Sequence, residues 1–429
     1  MLPLLWLSGT SAAGKSTVAW ELFTRLTAAG VDAGFVDIDQ LGMCYGPPAP
    51  GHWAPEPAGD HGRHLLQART LDALAVNFRA AGVCCLLVSG VTDPARGVET
   101  ALVPHAAVTS CLLHADEADL ARRLAARNHP GDDLANSVAH AATLKRTFPD
   151  ALWVDTTGLT VAEVADRVLA RTGWPPPAPA AEPPVTAAEP PGPPLSAPTA
   201  EPPGLSAEPP GLSAELPEPP ALAAEPPGSR LPATPGDVLW VCGPAAIGKS
   251  TIGWQVYHQL RLAGVNAAFV DLDQIGFRRP AHDTDPGNHR LKAANLAAVW
   301  RSFRDAGADC LVAVGPLDRP RDLATYRAAL PATTLTLCRL TASPQTLAER
   351  AARRGRGETP AALAGDELTG RPAAHLAEVA ARSAENLRAL AGLGGLEVGT
   401  DGRPAADIAA EIIAKNRYPP GGGCGTLAP

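Results

Sequence analysis

The stretch GTSAAGKST at residues 9–17 returns as GPAAIGKST at residues 243–251. Both fit G-x-x-x-x-G-K-[ST], and the likeness extends well beyond the motif. A shift of 234 residues carries Trp6 to Trp240, Trp20 to Trp254, Asp37 to Asp271 and Asp39 to Asp273, so that AAGVDAGFVDIDQLG answers LAGVNAAFVDLDQIG. Further on the shift is 225, taking Asp60 to Asp285, His64 to His289, Gly90 to Gly315 and Arg96 to Arg321. Later it is 227, taking Arg123 to Arg350 and Arg127 to Arg354. One domain has been duplicated within the chain, and whatever fold one copy adopts must serve the other.

The copies are separated by a segment of different composition. AEPP recurs through residues 174–236, which hold seven Glu and one Arg and little apolar surface. Such a segment is expected to stay unfolded with a polyproline II bias, as an inert spacer. The predicted organisation is a domain over 1–173, a Pro/Ala/Glu-rich linker over 174–236, a second domain over 237–418 and a tail over 419–429. Of the formal net charge of -8, the linker accounts for -6. The domains are therefore near neutral and lack the basic excess of a non-specific nucleic-acid binder. MLPLLWLSG has no basic residue before its apolar run, and that run ends in a phosphate-loop pattern, so it reads as a buried strand rather than a leader. No apolar run reaches the length of a membrane span. Cys84, Cys85, Cys111, Cys310 and Cys338 fall in apolar strand-like runs and read as reduced core residues of a cytoplasmic protein.

Each copy alternates strand and helix. In the first, LPLLWLS is a strand, KSTVAWELFTRLTAAG an amphipathic helix ending at Gly30, and AGFVDID a second strand. A helix ending near Ala81 follows, then strands VCCLLVS, AAVTSCLLH and ALWVDT, and a helix from Val161. Apolar strands alternating with helices predict α/β layers around a parallel sheet.

The loop motif carries direct chemistry. Its glycines let successive backbone N–H groups turn inward on a phosphate at a helix N-terminus. Gly9, Ala12, Ala13, Gly14, Lys15, Ser16 and Thr17 form the expected nucleotide cradle, repeated by Gly243, Ala246, Ile247, Gly248, Lys249, Ser250 and Thr251. Lys15 and Lys249 are placed to reach the β- and γ-phosphates of ATP, and Ser16 and Ser250 to ligate Mg²⁺. The third strands end in Gly, so the carboxylates must come from VDIDQ and VDLDQ. Strand alternation predicts Asp37 and Asp39 on one face at the carboxyl end, with Asp271 and Asp273 likewise. Asp37 and Asp271 are assigned to the metal and its water, Asp39 and Asp273 to an acceptor hydroxyl. The competing reading is that one Asp of each pair caps the turn that follows.

The pattern resembles the small-molecule kinases of the P-loop superfamily, such as adenylylsulfate, shikimate and gluconate kinases. The resemblance rests on GTSAAGKST with VDID, AGVCCLLVSG with DPAR, and LLHADEADLARRLAARN. In the second copy it rests on GPAAIGKST, VDLD, AGADCLVAVG with DRPR, and LCRLTASPQTLAERAARR. It implies a three-layer αβα P-loop fold with strand order 2-3-1-4-5 in each copy, ATP and Mg²⁺ as cofactors, and transfer of the γ-phosphoryl group to a small hydroxyl-bearing acceptor. Gln40 and Gln274 stand where adenylylsulfate kinases carry Asn, and only the second copy offers Arg278 and Arg279. The resemblance also implies that Arg123, Arg127, Arg350 and Arg354 lie over ATP as a lid, and that residues 154–160 and 398–404 border the adenine. Asp93 with Arg96, and Asp318 with Arg321, sit in the loop that touches the acceptor in these kinases; a surface turn with its own ion pair is the other reading. Asp60, His64 and Trp53 stand in or beside the acceptor loop. A regulatory ATPase whose halves respond to ATP is the alternative function. The repeat and the linker predict independently folded halves, with an intramolecular pairing as the alternative arrangement.

Overall fold

The computed structural model describes residues 1–45, 62–127 apart from the side chain of Arg127, 134–174, 236–358, 365–366 and 368–416. Trp53, Asp60, residues 175–235 of the expected linker and the expected tail lie outside these residues. The first copy runs β1 (Leu2–Gly9), α1 (Lys15–Ala28), β2 (Ala33–Asp37), α2 (Gly62–Ala80), β3 (Cys85–Ser89), β4 (Ala106–His114), α3 (Glu117–Arg127), α4 (Leu134–Thr147), β5 (Trp153–Asp155) and α5 (Val161–Thr172). The second runs β6 (Gly236–Cys242), α6 (Lys249–Leu262), β7 (Ala267–Asp271), β8 (Phe277–Arg279), α7 (His289–Asp305), β9 (Cys310–Gly315), α8 (Asp322–Ala329), β10 (Thr333–Thr341), α9 (Pro344–Gly355), α10 (Ala373–Ala389), β11 (Leu396–Gly399) and α11 (Ala405–Asn416).

Each copy builds a parallel sheet, in the orders β5-β4-β1-β3-β2 and β11-β10-β6-β9-β7. Counted among the strands of its own parallel sheet, each copy has the order 2-3-1-4-5. The central strands are apolar on both faces, with Leu4, Leu5 and Leu7 of β1 fully buried, as a sheet covered by helices on two sides requires. Each phosphate loop follows the central strand and opens a helix, at the carboxyl end of the sheet. These are two P-loop folds of the doubly wound α/β class.

The copies are not independent, which corrects the expectation of separately folded halves. Past β7, the second copy sends β8 across to pair antiparallel with the outer strand β2 of the first, with Phe35 opposite Phe277. The exchange is reciprocal: the Phe269 N–H donates to the Met43 carbonyl at 2.9 Å, and Cys44 bridges Ala268. The same 234-residue shift relates the two contacts. Each copy thus covers the other's outer strand, which would otherwise expose unpaired backbone groups. The Arg278 guanidinium makes a two-pronged ion pair with Asp32, at 3.0 and 2.6 Å. Helices α2 and α7 pack across the same seam, where Asn77 Nδ2 donates to Asn295 Oδ1 at 3.0 Å. Leu71, Leu74 and Phe78 of α2 share one continuous core with Leu296, Val299 and Phe303 of α7.

Three smaller expectations change. The second strand stops at Asp37, and Ile38–Gly42 is a 3-10 turn, so Asp39 is not a strand residue. Trp174, placed in the linker by composition, is buried in the core of the first copy, and Gly236 already belongs to β6. Cys84 is exposed, whereas Cys85, Cys111, Cys310 and Cys338 are buried as expected. Among the described residues no helix is long and apolar enough to cross a membrane.

Candidate active site

The loop conformations match in the two copies. Gly9 at φ +136° lets β1 pass against β4, since a Cβ there would lie 2.2 Å from the Leu113 carbonyl oxygen. Ala12 and Ala246 both take left-handed backbone, and Gly14 and Gly248 do so at the helix N-caps. Neither helix start is capped by a side chain, so the first-turn N–H groups are left to a ligand. Ala13 and Ile247 are fully buried and offer only backbone, while Thr17 and Thr251 are exposed. The Lys15 ammonium donates to the Thr10 carbonyl at 2.7 Å and that of Lys249 to the Pro244 carbonyl at 2.8 Å. Each lysine is thus held against its own loop, next to the expected phosphate position. Burial lowers the pKa of Lys249, and Asp273 and Asp271 oppose the shift.

The paired carboxylates differ from the strand-alternation picture. Asp37 Oδ1 accepts from the Asp39 N–H at 3.0 Å, and Asp271 Oδ1 from the Asp273 N–H at 3.0 Å. The first Asp of each pair therefore caps the turn that carries the second. In the second copy the Ser250 hydroxyl donates to the other Asp271 oxygen at 2.8 Å, a hydroxyl–carboxylate pair of hard oxygens. In the first, Ser16 instead receives a hydrogen bond from Ser89 at 3.3 Å. Among the described residues no group of three or more His, Cys, Asp or Glu side chains forms a metal cage. A Ser and an Asp with room for water and phosphate suit Mg²⁺, which keeps several waters and takes few protein ligands.

Burial first, and the neighbouring carboxylate second, push Asp37 up to about 7 and Asp271 up to about 6. An Asp of the unfolded chain titrates near 3.8. The folded state therefore binds the proton more tightly, and stability falls as pH rises from about 4 through about 7. Asp37→Asn removes that cost and keeps an oxygen for the Asp39 N–H. In nucleotide-free and Mg²⁺-free protein, its melting-temperature advantage over the parent should be larger near about pH 8 than near about pH 5. An equal offset at both would mean that Asp37 is not a buried charge.

The second carboxylates carry different cations. Arg63 of α2 pairs with Asp39 at 3.2 Å, and Lys292 of α7 with Asp273 at 2.6 Å. Burial pushes Asp273 up, but Lys292 and Lys249 hold it below the usual carboxylate range. Neither cation was expected from sequence. Their only mark is position, Arg63 just before His64 and Lys292 three residues after His289. Both sites also lean on the opposite copy: the Asp271 N–H donates to Gln40 Oε1 at 2.8 Å, and the Asp37 N–H to the Gln274 carbonyl at 3.0 Å.

The expected lid divides. Arg123 donates to the Ala12 carbonyl at 3.2 Å, to Thr156 Oγ1 at 3.0 Å and to the Thr156 carbonyl at 2.8 Å. Arg350 repeats this with Ile247 and Thr400. These two fasten the loop to the expected adenine border, and Arg350 also faces the cavity beside the second loop. Arg354 pairs with Asp366 at 3.1 Å. It lines a cavity of about 370 Å³ with Lys249, Ser250, Arg353 and Arg403, within the range of a small-ligand site. Arg353 and Arg403 were missed, although Arg403 lies inside the 398–404 stretch. Arg127 closes α3, and its side chain lies outside the described residues. In the other border segment Thr160 also forms a capping box with Glu163.

Around the expected acceptor position, Asp93 closes a turn by accepting from the Ala95 and Arg96 N–H groups, while Arg96 turns outward to Glu99. Ala95 and Arg96 are exposed but Asp93 is only 1% exposed, so the surface-turn reading fits Arg96 and not Asp93. Asp318 instead meets the buried His289 Nε2 at 2.9 Å, whose Nδ1 faces the Tyr326 hydroxyl at 3.1 Å. Arg321 is exposed at the start of α8.

No protein-family model matches the chain, and no curated protein matches it in sequence. Solved structures similar to it include the tunicamycin resistance protein of Deinococcus radiodurans, at 22% identity over 40% of this chain and 96% of that one, with a TM-score of 0.29. A gluconokinase from Sinorhizobium meliloti 1021 is 19% identical over 42% and 90%, with a TM-score of 0.29. The APS kinase of Mycobacterium tuberculosis, in complex with AMPPNP and APS, is 18% identical over 43% and 98%, with a TM-score of 0.28.

Proposed function

We propose that the chain is an ATP-dependent phosphotransferase acting on a small hydroxyl-bearing molecule. The observation that carries this reading is the order of groups at the carboxyl end of each sheet. A loop of inward N–H groups with its lysine comes first, then Ser and the first Asp, then a second carboxylate one turn further on, beside α2 or α7. A nucleotide hydrolase needs the first three; the second carboxylate adds a group suited to a hydroxyl acceptor. Ser16 with Asp37, and Ser250 with Asp271, would hold Mg²⁺, which neutralises charge on the phosphate oxygens when bound. Lys15 and Lys249 exchange their loop carbonyls for phosphate oxygens. Asp39 and Asp273 orient the acceptor hydroxyl and receive its proton as the oxygen attacks phosphorus. The hydrogen bonds between each first Asp and the opposite copy favour a second reading, in which ATP in one half is sensed by the other.

The test is calorimetry on the full chain with Mg²⁺ and a non-hydrolysable ATP analogue, alongside ADP release with a panel of hydroxyl acceptors. Two sites are expected. Lys15→Ala should weaken one and Lys249→Ala the other, each by roughly ten- to 150-fold, the worth of about 1.5–3 kcal/mol for a charge-assisted contact. ADP release that never responds to any acceptor would replace the phosphotransferase with the regulatory ATPase.

A further inference from the structure

The two copies differ where β1 and β6 each present a tryptophan to the α2 or α7 side of the sheet. In the first copy Trp6, His64, Gln67, Ala68, Thr92, Asp93 and Glu99 surround a cavity of about 10 Å³, enough for one water-sized group. Trp6, Gln67 and Thr92 are each at most 3% exposed, yet Trp6 Nε1, Gln67 Nε2 and Thr92 Oγ1 have no hydrogen-bond partner among the described residues. Buried polar atoms are rarely left this way unless something occupies the space between them. The indole and amide nitrogens are donors only, so they ask for lone pairs. Asp93 and Glu99 on the same wall disfavour an anion and offer acceptor oxygens. Burial, and Arg63 beside it, lower the pKa of His64, so that its ring adds no counter-charge at neutral pH. A hydroxyl meets both demands, because it accepts from the nitrogens and donates to a carboxylate.

The second copy has filled the equivalent place with its own chain. The turn Thr100–Leu102 of the first copy is answered by helix α8, and Ala101 by Tyr326. The fully buried Tyr326 ring lies 4.3 Å from that of Trp240, and its hydroxyl meets His289. The Trp240 indole N–H is itself unpartnered among the described residues, but it lies beneath this covering ring. Gln67 is replaced by Lys292, which holds Asp273.

We infer that the Trp6–Gln67–Thr92 cavity is a subsite for one hydroxyl of a neutral polyhydroxy ligand, and that the second copy lacks this subsite because Tyr326 occupies it. The inference rests on the phosphotransferase reading only in that such a ligand would present a neighbouring hydroxyl to Asp39. Binding can be read without ATP. In full-length protein labelled with ¹⁵N-tryptophan, the indole signals of Trp6 and Trp240 are assigned by their loss in Trp6→Phe and Trp240→Phe. Glycerol and myo-inositol serve as neutral probes, glycerate and glycerol 3-phosphate as anionic ones. A neutral probe should shift the Trp6 signal saturably and leave Trp240 in place. Ala68→Leu, which fills the cavity, and Thr92→Val, which removes its hydroxyl at nearly constant volume, should each weaken the response about tenfold. A Trp6 signal that no neutral probe moves would make the cavity a water site only and overturn the inference. So would a response to the anions alone, an equal shift of Trp240, or a response indifferent to both cavity variants. A protein that binds a polyol here yet never releases ADP keeps the subsite and loses the phosphotransferase; one that transfers phosphate with Trp6 silent does the reverse.

Discussion

Asp39→Asn, made in a Lys249→Ala background so that only the first site is read, is expected to cut acceptor-dependent ADP release by roughly 10²–10⁴-fold, the usual worth of a positioned base. ATP affinity at that site should stay within about threefold. The Asp39 side chain is about one-third exposed, is held by Arg63 and, among the described residues, makes no hydrogen bond to the phosphate loop. Its loss therefore removes a proton acceptor without disturbing the nucleotide cradle. The matching change in the second copy is less clean. Asp273→Asn leaves the Lys292 ammonium buried without its 2.6 Å partner, and an uncompensated buried charge costs stability. The comparison is informative for that reason: Asp39→Asn should melt close to the parent, and Asp273→Asn clearly below it. Undiminished turnover in Asp39→Asn, with the acceptor present, would remove Asp39 from the chemistry.

The largest structural effect is expected from Phe78→Ala. Phe78 is fully buried, and the core it joins includes Phe303 from the opposite copy. Truncating a core phenylalanine costs about 3–5 kcal/mol. Because that core spans both copies, Phe78→Ala and Phe303→Ala should each lower one common unfolding transition, followed by calorimetry or urea titration. Two transitions, of which each variant moves only one, would restore the picture of independent halves.

Much of each copy was readable because its signals are local. The buried strand, the glycine-rich loop, the basic helix start and the paired Asp residues lie within a few dozen residues of one another, and the 234-residue repeat gave each feature twice. What escaped depends on partners remote in sequence. Phe277-Arg278-Arg279 is too short for an alternating pattern, and it is a strand only because β2 offers an open edge. The apolar faces of α2 and α7 look, in sequence, like surfaces each copy buries on its own; nothing local says that they meet. Asp39 was placed on a strand because VDID alternates, yet Asp37 prefers to accept the Asp39 N–H and turns the chain there. Arg123 and Arg350 had the right helix face for a lid. That their guanidinium groups would be taken up by loop and border carbonyls depends on the packing of α3 and α9 against the loops.

The seam is not as symmetric as the repeat that made it. The Asp32–Arg278 pair has as its counterpart, by the 234-residue shift, Asn266 and Cys44, which carry no charge. Gln40 accepts through its side chain where Gln274 accepts through its backbone. Two first copies brought together would set Asp32 against Cys44 and forfeit the ion pair on both sides; two second copies would leave Arg278 facing Asn266. On these contacts, unlike copies make an ion pair that like copies would forfeit. Two copies held in one chain are released from the rule that binds identical subunits, under which every substitution is felt twice. One copy can then change its pocket wall, as at Tyr326, while the other keeps its own.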